Sequence, residues 1–185
     1  MSNSNRVVAT ALSIALCVAA TTVSADVMVG GNAMLAQKNI IENAVNSKDH
    51  TTLVAAVKAA GLVDTLEGKG PFTVFAPDNG AFAELPAGTV DSLLKPESKA
   101  TLTKILTYHV VPGHLTAADL DRLIDKGHGT ARLTTVSGGT LVLSKNGSRN
   151  ISIKDETGAT ADISVYDVLQ SNGVIFSIDR VLMPK

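Results

Sequence analysis

The sequence predicts one α+β domain that follows an export signal. Between residues 39 and 126, apolar residues recur at helical spacing, as at Leu102, Ile105 and Leu106. After Gly129 the apolar period changes to two, which is typical of half-buried strands. Two short strand-like segments also lie among the helices. We therefore expect helices clustered in the N-terminal half to pack against an antiparallel sheet formed mainly by the C-terminal half.

The first 25 residues are typical of a secretory signal peptide. Arg6 provides a positive start, an uncharged and mostly apolar run extends over Val7–Val23, and the small residues Ser24 and Ala25 precede Asp26. At about 1.5 Å per residue, this run is shorter than a hydrocarbon core roughly 30 Å thick. We expect cleavage, a secreted periplasmic, extracellular or cell-surface chain, and no transmembrane anchor after cleavage.

The remaining chain divides into a leader and one domain. Residues 26–38 contain Gly30 and Gly31 and show no clear period, so we expect a flexible leader that could tether the protein. Residues 39–185 contain no internal repeat and are predicted to form a single domain.

Helix ends are marked in the first part of that domain. Short helices are predicted at 40–45 and 89–94. Gly61 follows an alanine-rich apolar segment as a C-terminal cap. Thr116 provides an N-cap for a later amphipathic helix, which Gly127 closes.

The predicted strands are rich in β-branched and aromatic residues. Phe72–Phe75 and Tyr108–Val111 are such segments, and Pro77 and Pro112 stop them. On a strand, Tyr108 and His109 would face opposite sides. In the C-terminal third, three dipeptides provide the turns of an antiparallel meander: Gly138-Gly139, Asn146-Gly147 and Asn172-Gly173.

The composition argues against several classes of partner and site. Sixteen Lys and Arg against 17 Asp and Glu give a net charge of −1, so the chain lacks the basic surface that nucleic acids require. Two Tyr, four Phe and no Trp leave little material for base-stacking platforms. Cys17 is the only cysteine, which excludes a disulfide within the chain. We expect no nucleic-acid partner.

No motif indicates catalysis, a metal or a cofactor. Of the histidines, only His109 and His114 are close in sequence, and a Pro-Gly turn separates them, unlike metal ligands one helical turn apart. We interpret His109 as a core histidine and His50, His114 and His128 as solvated. No Gly-x-Ser-x-Gly turn presents a nucleophile, and no glycine-rich loop opens a helix for phosphate. We expect a non-enzymatic protein without catalytic, metal or cofactor sites.

Three segments occur in an order that points to a known family. They are Gly70–Phe82 (GPFTVFAPDNGAF), Leu106–Gly113 (LTYHVVPG) and Asn172–Leu182 (NGVIFSIDRVL). Together they resemble the two conserved blocks and the tyrosine-histidine motif of the fasciclin domain, a family of extracellular adhesion and matrix modules. The resemblance extends over about residues 39–184, and residues 39–66 also resemble the opening of single-domain bacterial members.

The resemblance implies a fasciclin-like fold and a set of candidate residues. Phe176 stands where the family has His, and Asp78 stands where it has Thr or Ser, but neither change is expected to alter the fold. In some animal relatives, the region around the tyrosine-histidine pair is linked to integrin binding. Core packing and capping are the main interpretation of these motifs. The candidate interaction or motif residues are Tyr108, His109, Asp78, Asn79, Phe75, Phe82 and Asp179.

Two functions from different classes stay open. The leading hypothesis is a secreted, non-enzymatic adhesion or extracellular interaction module, with a cell-surface or extracellular protein or glycan as partner. The alternative is a soluble carrier of an apolar small molecule, lipid or carotenoid-like, in the periplasm or outside the cell. The family resemblance implies it, because some fasciclin-like proteins resemble soluble pigment binders, and the flexible side chains of Met28, Met34, Leu35 and Met183 near the chain ends would suit an apolar ligand. A hydrolase is a third and weaker class. Asn146 and Asn150 match the N-glycosylation pattern, which matters only in a host that glycosylates.

Overall fold

The computed structural model describes residues 27–147 and 150–185. The predicted signal peptide, residues 1–25, lies outside the described residues. Within them, no helix is both long and apolar enough to cross a membrane.

In the described residues, seven α-helices lie before the C-terminal meander, and capping side chains begin three of them. Thr116, for example, forms a capping box with Asp119, as its position in the sequence predicts. Two short 3₁₀ turns occur at Lys48–His50 and Pro96–Ser98. The helices are α1 (Ile40–Ala44), α2 (Thr51–Ala60), α3 (Val63–Leu66), α4 (Asn79–Ala83), α5 (Thr89–Leu93), α6 (Lys99–Tyr108) and α7 (Ala117–Lys126).

Nine strands within residues 27–147 and 150–185 form a small hairpin and a seven-stranded sheet. The strands are β1 (Val27–Val29), β2 (Asn32–Met34), β3 (Phe72–Pro77), β4 (Val110–Pro112), β5 (Thr130–Thr134), β6 (Thr140–Asn146), β7 (Asn150–Lys154), β8 (Thr160–Gln170) and β9 (Gly173–Ile178). The large sheet has the order β4-β3-β9-β8-β7-β6-β5. Its last five strands in sequence form the predicted antiparallel meander. The exception to antiparallel pairing is β3, which lies parallel to β9.

The sheet buries both faces where β3 and β9 meet. On β3, Val74 and Ala76 belong to one apolar core and Phe75 to another. On β9, Ile175 belongs to the first of these cores and Phe176 to the second. The first core lies under α1, α2, α3 and α6, and the second lies between α7 and the meander. This alternation is the period of two that a pleated strand imposes. The α+β prediction is confirmed.

The segment assigned to a flexible leader forms a packed hairpin, which corrects that assignment. β1 and β2 pair with Val27 opposite Met34. Val29 and Met34 are 7% and 4% exposed and belong to the first core. Strands of three residues are too short to show an apolar period, so the sequence pattern gave no sign of them.

The assignment of Tyr108–Val111 to a strand is also wrong at its first two residues. Helix α6 continues to Tyr108, and His109 is its C-cap. Strand β4 begins only at Val110. The β-branched and aromatic composition suggested a strand, but the apolar face of α6 packs in the core and the helix continues through Tyr108.

Candidate functional site

The motif tyrosine, Tyr108, is completely buried. Its exposed fraction is 0%. The hydroxyl donates a hydrogen bond to the Thr140 carbonyl at 2.9 Å and accepts one from the Glu156 backbone N–H at 3.0 Å. Burial raises the pKa of this phenol to about 12. The ring packs closely on Gly139, where an added Cβ would lie 2.6 Å from it. Tyr108 therefore joins the helix end to the turns of the meander.

The neighbouring His109 is neutral and fully engaged. Its Nε2 accepts a hydrogen bond from the Leu182 N–H at 3.0 Å, so Nδ1 carries the proton and donates to the Ile105 carbonyl at 2.9 Å. Burial lowers the pKa of the imidazole to about 4. The ring thus fastens the C-terminal segment to α6, and the interpretation of His109 as a core histidine is confirmed.

Asp78 and Asn79 cap two different helices. The Asp78 carboxylate accepts from the Ala81 N–H at 2.8 Å and is the N-cap of α4. Asn79 Oδ1 accepts from the Thr52 N–H at 3.1 Å, in the first turn of α2, and Asn79 Nδ2 donates to the Lys48 carbonyl at 2.8 Å. A carboxylate caps as well as a hydroxyl, which explains why the departure at Asp78 preserves the local structure.

The motif phenylalanines are core residues. Phe75 stacks on Phe176, with ring centroids 5.7 Å apart, and Tyr166 meets Phe176 edge-on at 6.1 Å. Phe176 is 0% exposed, so the apolar ring in place of the family's histidine is part of an aromatic cluster. Phe82, at 9% exposure, packs in the first core.

Asp179 is the exposed member of the candidate set. Its Oδ1 accepts from the Asp162 N–H at 2.8 Å, and its own N–H donates to the Asp162 carbonyl at 3.2 Å. It closes the end of the β8–β9 pair. The seven candidates therefore do not converge on one surface; six are core or capping residues, and Asp179 lies apart.

The structure contains an internal apolar cavity that the sequence did not indicate. Its volume is about 60 Å³, and it lies between α1, α2, β3, β9 and the β1–β2 hairpin. Two of the sequence candidates, Phe75 and His109, contribute to its wall. Tyr108 belongs to the other core. Apolar residues from elements that are distant in sequence form this wall, so no local sequence pattern could predict the cavity.

A buried histidine that the sequence analysis missed also lines the cavity. His50 is 4% exposed, so its assignment as a solvated residue is wrong. Its Nδ1 lies 2.9 Å from Ser47 Oγ and its Nε2 lies 3.2 Å from Ser177 Oγ. Burial lowers the pKa of this imidazole. Both ring nitrogens bond to hydroxyl groups, so the ring is not oriented by a carboxylate as in a catalytic triad.

Metal-binding groups do not assemble in the residues that the structure describes. Across 27–147 and 150–185, no cluster of three His, Asp or Glu side chains is placed to hold an ion.

The fold and the motif residues define a module of helices and a sheet, in which the three motif segments stabilise the domain by packing and capping. The family model of the fasciclin domain matches residues 48–184, and the chain belongs to that family. The first 47 residues, including the β1–β2 hairpin, precede the matched region.

Relatives in bacteria cover most of the chain. Protein sll1483 of Synechocystis is 46% identical over 78% of this chain and 73% of its own length. Immunogenic protein MPB70 of Mycobacterium bovis is 36% identical over 81% and 71%. Cell surface glycolipoprotein MPB83 of the same species is 36% identical over 84% and 64%.

A solved structure has the same fold. It is a FAS1 domain pair from the insect cell adhesion molecule fasciclin I, with a TM-score of 0.67 and 19% sequence identity. The match covers 79% of this chain and 51% of that chain, so the present chain spans about half of the domain pair.

Proposed function

We propose that this protein is a secreted, non-enzymatic fasciclin module that binds an extracellular or cell-surface protein or glycan and mediates adhesion. Its family membership supports this function. So do the names of two similar proteins, a cell surface glycolipoprotein and a cell adhesion molecule. Export would depend on the signal peptide that residues 1–25 predict.

The observation that carries the proposal is the internal use of the motif residues. The hydroxyl of Tyr108, both ring nitrogens of His109 and the side-chain amide of Asn79 all bond to groups within the domain. These groups hold the fold and present no reactive atom to a substrate. Recognition would then rest on shape and hydrogen bonding at the exterior, as in other interaction modules.

Deletion of the gene, followed by complementation with two versions of it, tests this function. Loss of attachment or aggregation by the deletion strain, and recovery with the wild-type gene, is the expected result. The matched control is a gene that lacks codons 2–25, because its product keeps the domain but not the export signal. That control should fail to restore attachment. Unchanged attachment in the deletion strain, or full recovery with the control, would contradict the proposal.

The cavity favours a second candidate, a carrier of an apolar small molecule. A carrier needs an internal apolar site, and the cavity beneath the hairpin is one. Purification of the protein from its host, followed by an absorption spectrum and mass spectrometry of an organic extract, tests this function. A bound lipid or pigment in stoichiometric amount is expected. Colourless protein without extractable lipid would argue against the carrier and leave adhesion unaffected.

A further inference from the structure

We infer that the cavity binds the tail of a single-chain carboxylate amphiphile, with the carboxylate at its mouth beside Lys58. This inference rests on the second of the proposed functions and names the chemical class of the ligand. It follows from three properties of the cavity: the composition of its wall, the position of one lysine, and the mobility expected of its cover.

The wall of the cavity suits a hydrocarbon rather than a polar molecule. Its surface is almost entirely apolar. The buried polar side chains in the wall already form hydrogen bonds within the protein. His50 bonds to the hydroxyl groups of Ser47 and Ser177. His109 bonds to Ile105 and Leu182. A ligand that placed a polar group deep in the cavity would lose its hydration without gaining a partner. The buried part of the ligand is therefore a plain hydrocarbon.

Lys58 is the charged side chain at the mouth. It belongs to the wall of the cavity and is exposed to solvent, which places its aliphatic stem along the apolar surface and its ammonium in water. In residues 27–147 and 150–185, no carboxylate forms a salt bridge with it. An anionic head group at the mouth would complement this charge, whereas a cationic one would be repelled.

The β1–β2 hairpin covers the cavity. Val29 and Met34 supply its contribution to the wall. A two-stranded hairpin of three-residue strands has little stability of its own, and a methionine side chain adapts readily to a new neighbour. Besides the packing of Val29 and Met34, a hydrogen bond at the surface holds the hairpin to the body, in which Asn32 donates to the Asn46 carbonyl.

The size of the cavity requires that cover to move. Its volume of about 60 Å³ corresponds to roughly two groups the size of a water molecule. For comparison, an apolar cavity of about 150 Å³ binds benzene. Only the end of a chain fits the cavity as it stands, so a longer tail must displace Val29 and Met34. A rigid, bulky polyene would require a much larger displacement than a flexible saturated chain.

A series of linear carboxylates tests the tail. Hexanoate, octanoate, decanoate and dodecanoate would be titrated into the purified mature protein below their micelle concentrations, with binding measured by calorimetry. Each added methylene that is buried should strengthen binding about fourfold. Two results would overturn the inference: no detectable binding of dodecanoate, or affinity that does not depend on chain length.

A pair of matched variants locates the tail of the ligand. Ala44→Leu fills the cavity, because Ala44 is in its wall, whereas Ala55→Leu makes the same change at an exposed position of α2. The first variant should bind dodecanoate at least about tenfold more weakly than the second, since the three carbon atoms that it adds take the space of at least two methylenes of the tail. Equal affinities would place the ligand elsewhere and overturn the inference.

The exposed Lys58→Gln variant tests the head group and does not depend on repacking of the core. It should weaken decanoate binding about twofold to fivefold and leave 1-decanol binding unchanged. Equal effects on the two ligands, or no effect on decanoate, would refute the role of Lys58. These binding measurements and the host extract test different statements. A carrier that uses another site would contain native lipid in the host extract, but its Ala44→Leu variant would bind dodecanoate normally; that result would refute the site and leave the carrier function standing.

Discussion

Replacement of His109 by Gln should make the stability of the domain less sensitive to acid. In the folded protein, His109 is neutral because it is buried, and its pKa is about 4 against 6.5 for an ordinary histidine. As the pH falls below 6.5, the unfolded chain takes up this proton before the folded one. The stabilisation is therefore complete above about pH 6.5 and is lost as the pH falls towards 4.

The shift in the pKa of His109 sets the magnitude. A difference of about 2.5 units corresponds to about 3 kcal/mol of unfolding free energy, lost between pH 6.5 and 4, and about 2 kcal/mol of it is lost by pH 5. Gln has an acceptor for the Leu182 N–H but no donor at the position of the ring Nδ1, so the bond to the Ile105 carbonyl is lost, which should cost about 1–3 kcal/mol at every pH. The variant should be the less stable protein at pH 8 and should equal or exceed the wild type near pH 4.

Urea unfolding followed by far-ultraviolet circular dichroism, at intervals from pH 8 to 4, measures both profiles. Carboxylate titration contributes to both proteins, so the informative quantity is the difference between them. His114→Gln, at an exposed position, is the matched control and should keep the steep wild-type profile. Parallel profiles for the wild type and His109→Gln would refute the reasoning, because a buried neutral imidazole must respond to acid.

Three further changes have defined outcomes. Tyr108→Phe should lower the unfolding free energy by about 1–3 kcal/mol in urea titrations, because it leaves the Glu156 N–H without its acceptor; wild-type stability would contradict the hydrogen bond. Gly139→Ala should cost about 1–3 kcal/mol, since the new Cβ would lie 2.6 Å from the Tyr108 ring, and an unchanged urea midpoint would argue against that packing. Asn79→Ala should cost about 1 kcal/mol by uncapping α2, a loss that Asn79→Asp should partly restore. Mass spectrometry of the exported protein should find Asp26 at its N-terminus, and a retained Arg6 would disprove cleavage.

Local signals predicted most elements of the fold. Gly61 closes α2 with a left-handed conformation, as a glycine after an apolar helix predicts. Thr116 caps α7, and the strands after Gly129 follow the period of two. These features depend on residues that are neighbours in sequence, so a single chain without relatives is enough to reveal them. The fasciclin resemblance then supplied the order of elements that periodicity alone does not give.

The cavity, and the buried His50 in its wall, depend on contacts between residues that are distant in sequence. His50 is bonded to Ser177, and the residues lie 127 positions apart, so nothing around His50 in the sequence distinguishes it from a solvated histidine. Met34 resembles a residue of a glycine-containing linker until the hairpin brings it onto the core. The seven motif candidates were chosen from local segments, and the structure uses most of them for packing and capping.

The parallel pairing of β3 with β9 has a consequence for folding during synthesis. Phe72 lies opposite Gly173, and β9 occupies the interior of the sheet between β3 and β8. A nascent chain cannot complete this sheet until residues 173–178 have been synthesised, and closing so long a loop is slow compared with local helix formation. The topology therefore delays completion of the sheet until residues 173–178 have been made. For the export that residues 1–25 predict, this delay would lengthen the interval in which translocation can begin.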